Sequence, residues 1–214
     1  MNPDTRFRTI RISDPRFESD HLRCITVKSA HLRGRGDICV FVPPDTNATD
    51  LPIVLLLHGV YGGAWSWSQG GGAHRTALRL ITEGKLPPML LAMPSDGLWG
   101  DGSGYTPHAT QDFEKWIVED VIDAVKLTIP QAANSTTTFL AGLSMGGYGT
   151  LHLGGKYPQL FKAISAHSAI TAFEQMALFV EEPIDSFRPA DPLDAEALLI
   201  LRKHKDQLPP LRFD

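Results

Sequence analysis

Residues 136–149 read TTTFLAGLSMGGYG, and the fold follows from this stretch. Its first part, 136–141, is β-branched and apolar, the composition of a buried strand. Gly142-Leu143-Ser144-Met145-Gly146 then brackets one serine with two glycines, and 145–156 continues as a glycine-rich helix candidate. A strand that turns at once into a helix holds the serine at the bend in a strained conformation, its hydroxyl exposed. The glycines have a steric reason, because β-carbons at 142 and 146 would collide with neighbouring backbone. The helix start behind the serine favours developing negative charge. Ser144 is therefore the candidate catalytic nucleophile.

The flanking sequence supplies the setting that such a turn needs. Leu51-Pro52 leads into IVLLLHG, Leu86-Pro87-Pro88 into MLLAMP, and Leu208-Pro209-Pro210 into LRFD. Apolar runs without alternation are the mark of strands covered on both faces, as in a parallel sheet. Further strands are expected at 22–29, 37–42 and 161–166, with Arg33-Gly34-Arg35-Gly36 as a turn between the first two. Helices are expected at 73–83, 113–128, 145–156 and 194–206; in 113–128 the apolar Phe113, Trp116, Ile117, Val121, Ala124 and Val125 recur at helical spacing. Two leading strands followed by alternating β and α predict an α/β fold with a mostly parallel central sheet and helices on both faces. Ligands of such sheets bind beyond the carboxyl ends of the strands.

His58-Gly59-Val60-Tyr61-Gly62-Gly63 lies at one of those ends, directly after IVLLL. Acyl transfer passes through a tetrahedral oxyanion, which needs backbone N–H donors aimed at the developing charge. Met145, the residue after the nucleophile, supplies one donor. Val60 or its neighbour Gly59 supplies the other. His58, Trp65 and His167 also fall at strand ends and are candidate pocket-lining residues. The segment 171–193 mixes aromatic residues, prolines and acids and reads as a lid.

Composition sets the outer bounds. The chain has 214 residues, 20 Lys+Arg against 24 Asp+Glu, and a net charge of −4. That balance argues against a nucleic-acid or anionic-membrane partner. Its two cysteines, Cys24 and Cys39, make no disulfide framework and read as free thiols. No metal-ligand spacing, Walker A sequence or dinucleotide glycine loop occurs, so neither a metal nor a cofactor is expected. Residues 1–20 are polar and Arg-rich with no apolar stretch, which reads as an N-terminal arm before a domain spanning 21–214, and the expected setting is cytoplasmic.

LPIVLLLHGVYGG, MPSDG, DFEKWIVEDVIDAV, AGLSMGGYGTLHLGGKYP and FKAISAHSA together resemble the esterase D and tributyrin esterase branch of the α/β-hydrolase family, over roughly residues 50–170. The resemblance implies a serine carboxylesterase that hydrolyses short-chain acyl esters through an acyl-enzyme. It matches Ser144 to the nucleophile and Val60 and Met145 to the oxyanion donors. An S-formylglutathione hydrolase-like thioesterase shares this machinery, and a non-catalytic binding module shares the scaffold.

A serine nucleophile needs a histidine base oriented by a carboxylate, and in this family the order is serine, acid, histidine. His152 lies along the helix after the serine, and His204 sits beside Arg202, Lys203 and Lys205, a solvated face. His167 precedes every plausible acid. The family places its acid just after the strand that begins at Leu211, so the fold is expected to lack its last strands and final helix. The catalytic Asp and His are expected beyond Asp214. A sheet ending there would leave an unpaired edge open to a second copy of the chain.

Overall fold

Each Leu-Pro lead-in is followed by a strand, and the three strands are parallel members of one sheet. The computed structural model describes residues 7–214. Its strands are β1 (Ile10–Ile12), β2 (Leu22–Ser29), β3 (Gly34–Phe41), β4 (Ile53–Leu57), β5 (Leu90–Pro94), β6 (Thr138–Leu143), β7 (Ile164–His167) and β8 (Leu211–Phe213). They form a single sheet in the order β1-β2-β3-β5-β4-β6-β7-β8. The β1–β2, β2–β3 and β3–β5 pairs are antiparallel, and every pair from β5 through β8 is parallel. β5 is buried along its whole length and β4 nearly so, which is why neither alternates polar and apolar residues.

Helices cover the sheet on both faces. On one face lie α2 (Phe113–Lys115), α3 (Ile122–Thr128), α4 (Met145–Lys156) and α5 (Ala197–Lys203), whose apolar residues share one core with β2, β4 and β6. A wider π-type turn, Trp116–Val121, runs from α2 into α3 and keeps Trp116, Ile117 and Val121 buried. On the other face α1 (Ala73–Thr82) packs Ala77, Leu78 and Ile81 against Leu56, Leu91 and Met93. Beside it, Val54, Phe139, Ala141, Ser165 and Leu211 line an open apolar hollow of about 490 Å³ over β4, β6, β7 and β8. No helix covers that part of the face among the described residues.

Three expectations need correction. Part of the segment read as an arm belongs to the sheet. Ile10–Ile12 pairs with Ile25–Val27, and Phe7 is buried, since an edge strand needs only one neighbour and a few apolar side chains. Residues 1–6 of that arm lie outside the described residues. Gly34 and Gly36 are not the turn but the start of β3. Gly36 is required by packing, because a β-carbon there would stand 2.5 Å from the Trp116 ring. His204 does not project into solvent, since its Nδ1 meets the Gly155 carbonyl oxygen at 2.7 Å. Cys24 and Cys39 face each other across β2 and β3 as free thiols.

Behind α4 a buried ionic cluster joins three elements. The Glu114 carboxylate accepts from His152 Nε2 at 2.7 Å and Lys156 Nζ at 3.0 Å, and from the Tyr157 hydroxyl. Lys156 also reaches Asp194 Oδ1 at 2.7 Å. Burial pushes the Glu114 carboxyl up, but these hydrogen bonds and the Lys156 charge outweigh it and hold its pKa at about 2. Its ordinary value is 4.5. Because the folded value is the lower one, this carboxylate stabilises the fold above that ordinary value, and the contribution is lost as pH falls towards the folded value. Urea unfolding measured across the acid range should show wild-type stability dropping over this window. Glu114→Gln should flatten that part of the slope, and an unchanged slope would refute the assignment.

Candidate active site

The strand order brings the two candidate loops together. β4 and β6 are neighbours with Leu57 opposite Gly142, so the chain leaving β4 at His58 meets the chain leaving β6 at Ser144. From β4 the chain crosses to β5 on one side and later returns to β6 on the other, the kind of crossover point where open α/β sheets bind ligands.

Ser144 has φ 57° and ψ −117°, a left-handed conformation that costs a non-glycine residue free energy of order 1–3 kcal/mol. The surrounding packing over-determines it. A β-carbon at Gly142 would stand 2.0 Å from the Gly146 carbonyl oxygen, and one at Gly146 would stand 2.3 Å from the Leu57 oxygen. The Ser144 amide donates to the His167 carbonyl oxygen at 2.9 Å, and the Ser144 carbonyl accepts from the Tyr148 amide at 3.0 Å. Ser144 is half-buried and caps the N-terminus of α4, where the aligned peptide dipoles present positive potential.

Gly59 lies against the serine. A β-carbon there would be 3.4 Å from Ser144 Cβ and 3.8 Å from its Oγ. The Val60 and Met145 amides, one on each loop, find no acceptor among the described residues. Two backbone donors on the loops at Ser144 thus have no acceptor among the described residues, which an oxyanion site would need.

His58 borders a cavity of about 300 Å³ with Gly59, Ser66, Trp67 and Leu143, but it works mainly as a brace. It is 3% exposed. Its Nε2 accepts the Asp96 amide at 3.0 Å, so Nδ1 carries the proton and donates to the Gly59 carbonyl at 2.7 Å. Asp96 is buried too, its carboxylate accepting the Leu98 and Ser103 amides at 2.9 and 2.7 Å. Tyr105, wholly buried, donates its hydroxyl to the His58 carbonyl at 3.0 Å. The sequence marks Ser95-Asp96-Gly97 as a loop near this face but as a turn only, and does not assign the partly buried 95–106 this bracing role. Its signal was the density of Ser, Asp and Gly in SDGLWGDGSGY, residues able to satisfy their own backbone when buried.

The other expected residues divide. The His167 carbonyl holds the serine amide, but its ring turns elsewhere, with Nε2 at 2.9 Å from Ser165 Oγ and Nδ1 at 3.3 Å from Asp214. Trp65 is 59% exposed and lines a separate apolar cleft of about 460 Å³ with Phe17, Ile25, Cys24 and Ile38. His152 is committed to Glu114. Among the described residues no histidine ring is hydrogen-bonded to Ser144 Oγ.

Comparisons with known proteins show the family and the fold. Residues 29–205 match the family described as "Putative esterase", and the chain belongs to that family. It is 27% identical over 135 residues to an acetyl esterase of Caldicellulosiruptor saccharolyticus, covering 62% of this chain and 47% of that protein. It is 23% identical to the iron(III) enterobactin esterase of Escherichia coli, covering 66% of this chain and 34% of the relative. The chain thus spans less than half the length of these curated relatives. Among solved structures it superposes on the Staphylococcus aureus fluorophosphonate-binding serine hydrolase FphF with a TM-score of 0.72 at 20% identity, covering 90% of this chain and 77% of that one. The S-formylglutathione hydrolase FrmB of the same species gives 0.70 at 16% identity, covering 96% and 79%. These likenesses identify the α/β-hydrolase fold.

The close approach of Gly146 to β4 makes a prediction. Gly146→Ala should lower unfolding stability by about 1–3 kcal/mol in urea, because backbone must move to admit the methyl group. Gly34→Ala, whose β-carbon has its nearest neighbour at 3.4 Å, should change it by about 0.5 kcal/mol or less. Equal effects at the two sites would contradict the steric account.

Proposed function

We propose that the protein is a serine carboxylesterase acting on short-chain acyl esters through an acyl-enzyme on Ser144. The observation that carries this reading is the strained Ser144 between Gly142 and Gly146, with the open amides of Val60 and Met145 beside it.

In the proposed reaction Ser144 Oγ attacks the acyl carbonyl carbon while a base takes its proton. The Val60 and Met145 amides receive the oxyanion. Each such donor is worth about 2.7–4 kcal/mol of transition-state stabilisation in comparable sites. Collapse of the intermediate expels the alcohol, protonated by the base, and leaves the acyl group on Ser144. Water then attacks the acyl-enzyme by the same route and releases the acid. The histidine base and its orienting carboxylate are assigned to residues outside these 214. Supporting this are the absence of a histidine on Ser144 Oγ among the described residues and the incomplete span of the chain against its relatives.

We read the domain as 21–214 extended by β1, with 171–193 as a cap over the site. His58 supports the oxyanion loop from behind, and Trp65 and His167 sit at its margins. The substrate partner is a small-molecule ester. No helix among the described residues is long and apolar enough to cross a membrane, and we take the setting to be cytoplasmic.

The test is covalent labelling of the full-length protein with a fluorophosphonate probe, paired with hydrolysis of short nitrophenyl esters. Labelling should map to Ser144, and Ser144→Ala should abolish both signals. A full-length protein that neither labels nor hydrolyses would exclude the esterase reading and favour a binding module on the same scaffold.

A further inference from the structure

The segment 171–193 is anchored at two places and clasped between them. Phe173 and Met176 are fully buried on one side and Phe187 on the other, where its ring packs against Trp99, His108 and Phe173. The arm between these anchors carries Leu178 at 76% and Phe179 at 43% exposure, while Val180 and Ile184 pack in part against the core. A set of polar contacts centred on Asp101 clasps it as well. The Glu181 amide donates to Asp101 Oδ2 at 2.8 Å, and the Asp101 amide donates to the Glu182 carboxylate at 3.2 and 3.3 Å. The Tyr61 hydroxyl donates to the Phe179 carbonyl.

The same residue grips the oxyanion loop. The Asp101 carbonyl accepts the Tyr61 amide at 2.8 Å, and Tyr61 takes the left-handed φ of 61°. That bond fixes the peptide one residue beyond Val60. The neighbouring Gly102 lies against the side chains of both residues that carry the expected donors, since a β-carbon there would stand 2.4 Å from Met145 Sδ and 3.4 Å from Val60 Cγ1. Gly100, on the other side, is left-handed and leaves room for Glu182, whose Oε1 would be 2.2 Å from a β-carbon. Through its amide, carbonyl and carboxylate, Asp101 therefore joins the arm to the loop that carries the Val60 amide.

We propose that Asp101 is a positioning residue that couples closure of the arm 177–186 to alignment of the Val60 oxyanion donor. With the arm clasped, Glu182 and Glu181 fix the 100–102 loop, and that loop fixes Tyr61 and hence the Val60 peptide. With the arm released, the Tyr61 amide loses its fixed acceptor and the oxyanion donor loses its register. A substrate that favours the clasped arm would in this way complete the site that reacts with it. The coupling rests on the esterase reading for its catalytic consequence, but not for its physical test.

That test is hydrogen exchange on the full-length protein. Asp101→Ala should raise amide exchange in 178–183 and in 60–62 together, by about tenfold or more. Asp101→Asn keeps an acceptor for the Glu181 amide and should restore both. Tyr61→Phe, which releases the arm from its other side, should raise both segments as well. Loosening of the arm with 60–62 unchanged, in either Asp101→Ala or Tyr61→Phe, would overturn the coupling. In ester hydrolysis Asp101→Ala should lower kcat by about tenfold with a smaller change in KM, since the donor acts mainly on the transition state, with rescue by Asn. A fall confined to KM would also overturn it. If wild-type protein is inert and unlabelled, the esterase reading fails while the exchange result still decides the coupling.

Discussion

The start of α4 is pressed against the end of β4 so closely that the Leu57 oxygen would lie 2.3 Å from any β-carbon at Gly146. Most of the candidate site depends on this contact. It brings the helix dipole up behind Ser144 and bends the strand-to-helix turn until the serine backbone is left-handed. It also sets Gly59 within contact distance of the nucleophile. A larger residue at 142 or 146 would separate helix from strand and move the hydroxyl away from the two open amides. The strain at Ser144 is tolerated because the surrounding sheet and helix have no room to relax it.

Around this contact the protein spends its buried polar groups on backbone. His58 uses both ring nitrogens on main-chain partners, Asp96 accepts two amides, and Tyr105 reaches a carbonyl. None of these side chains is free for proton transfer. Their common effect is to hold a glycine-rich loop rigidly where its own structure would not, so that the Val60 amide keeps its direction without helical or sheet bonding. Asp101 extends the same device outward to the cap. The Glu114 cluster does comparable work at the other end of α4, fixing the helix that carries the serine to α2 and to Asp194.

The parallel sheet was legible in the repeated Leu-Pro lead-ins and unbroken apolar runs, because strands covered on both faces exclude polar residues locally. The bend at Ser144 between Gly142 and Gly146 was legible for the same kind of reason, as a tight turn restricts residue type at neighbouring positions; Gly59, Val60 and Met145 were marked by their places after a strand and after that serine. His58 and His167 were marked by their places at strand ends, but their roles were not. A histidine ring takes its function from whichever groups surround it, and these include Asp96 and Asp214, distant in sequence. The short β1 escaped notice because three residues with an arginine in the middle carry no period. The strand start at Gly34 was hidden because Gly36 serves contact with Trp116 and not a turn.

By itself the sequence determined the α/β class, the bracketed serine and the family resemblance, since each is written in local steric demands or in contiguous phrases. Tertiary structure alone decided which backbone amides lack an acceptor, which histidine becomes a brace, and how the segment around 179–182 is tied to the loop after β4. Those outcomes depend on pairs such as Tyr61 with Asp101 and Gly59 with Ser144, brought together by strand order across long stretches of chain. No local rule links such residues; only the packing of β4 beside β6 does.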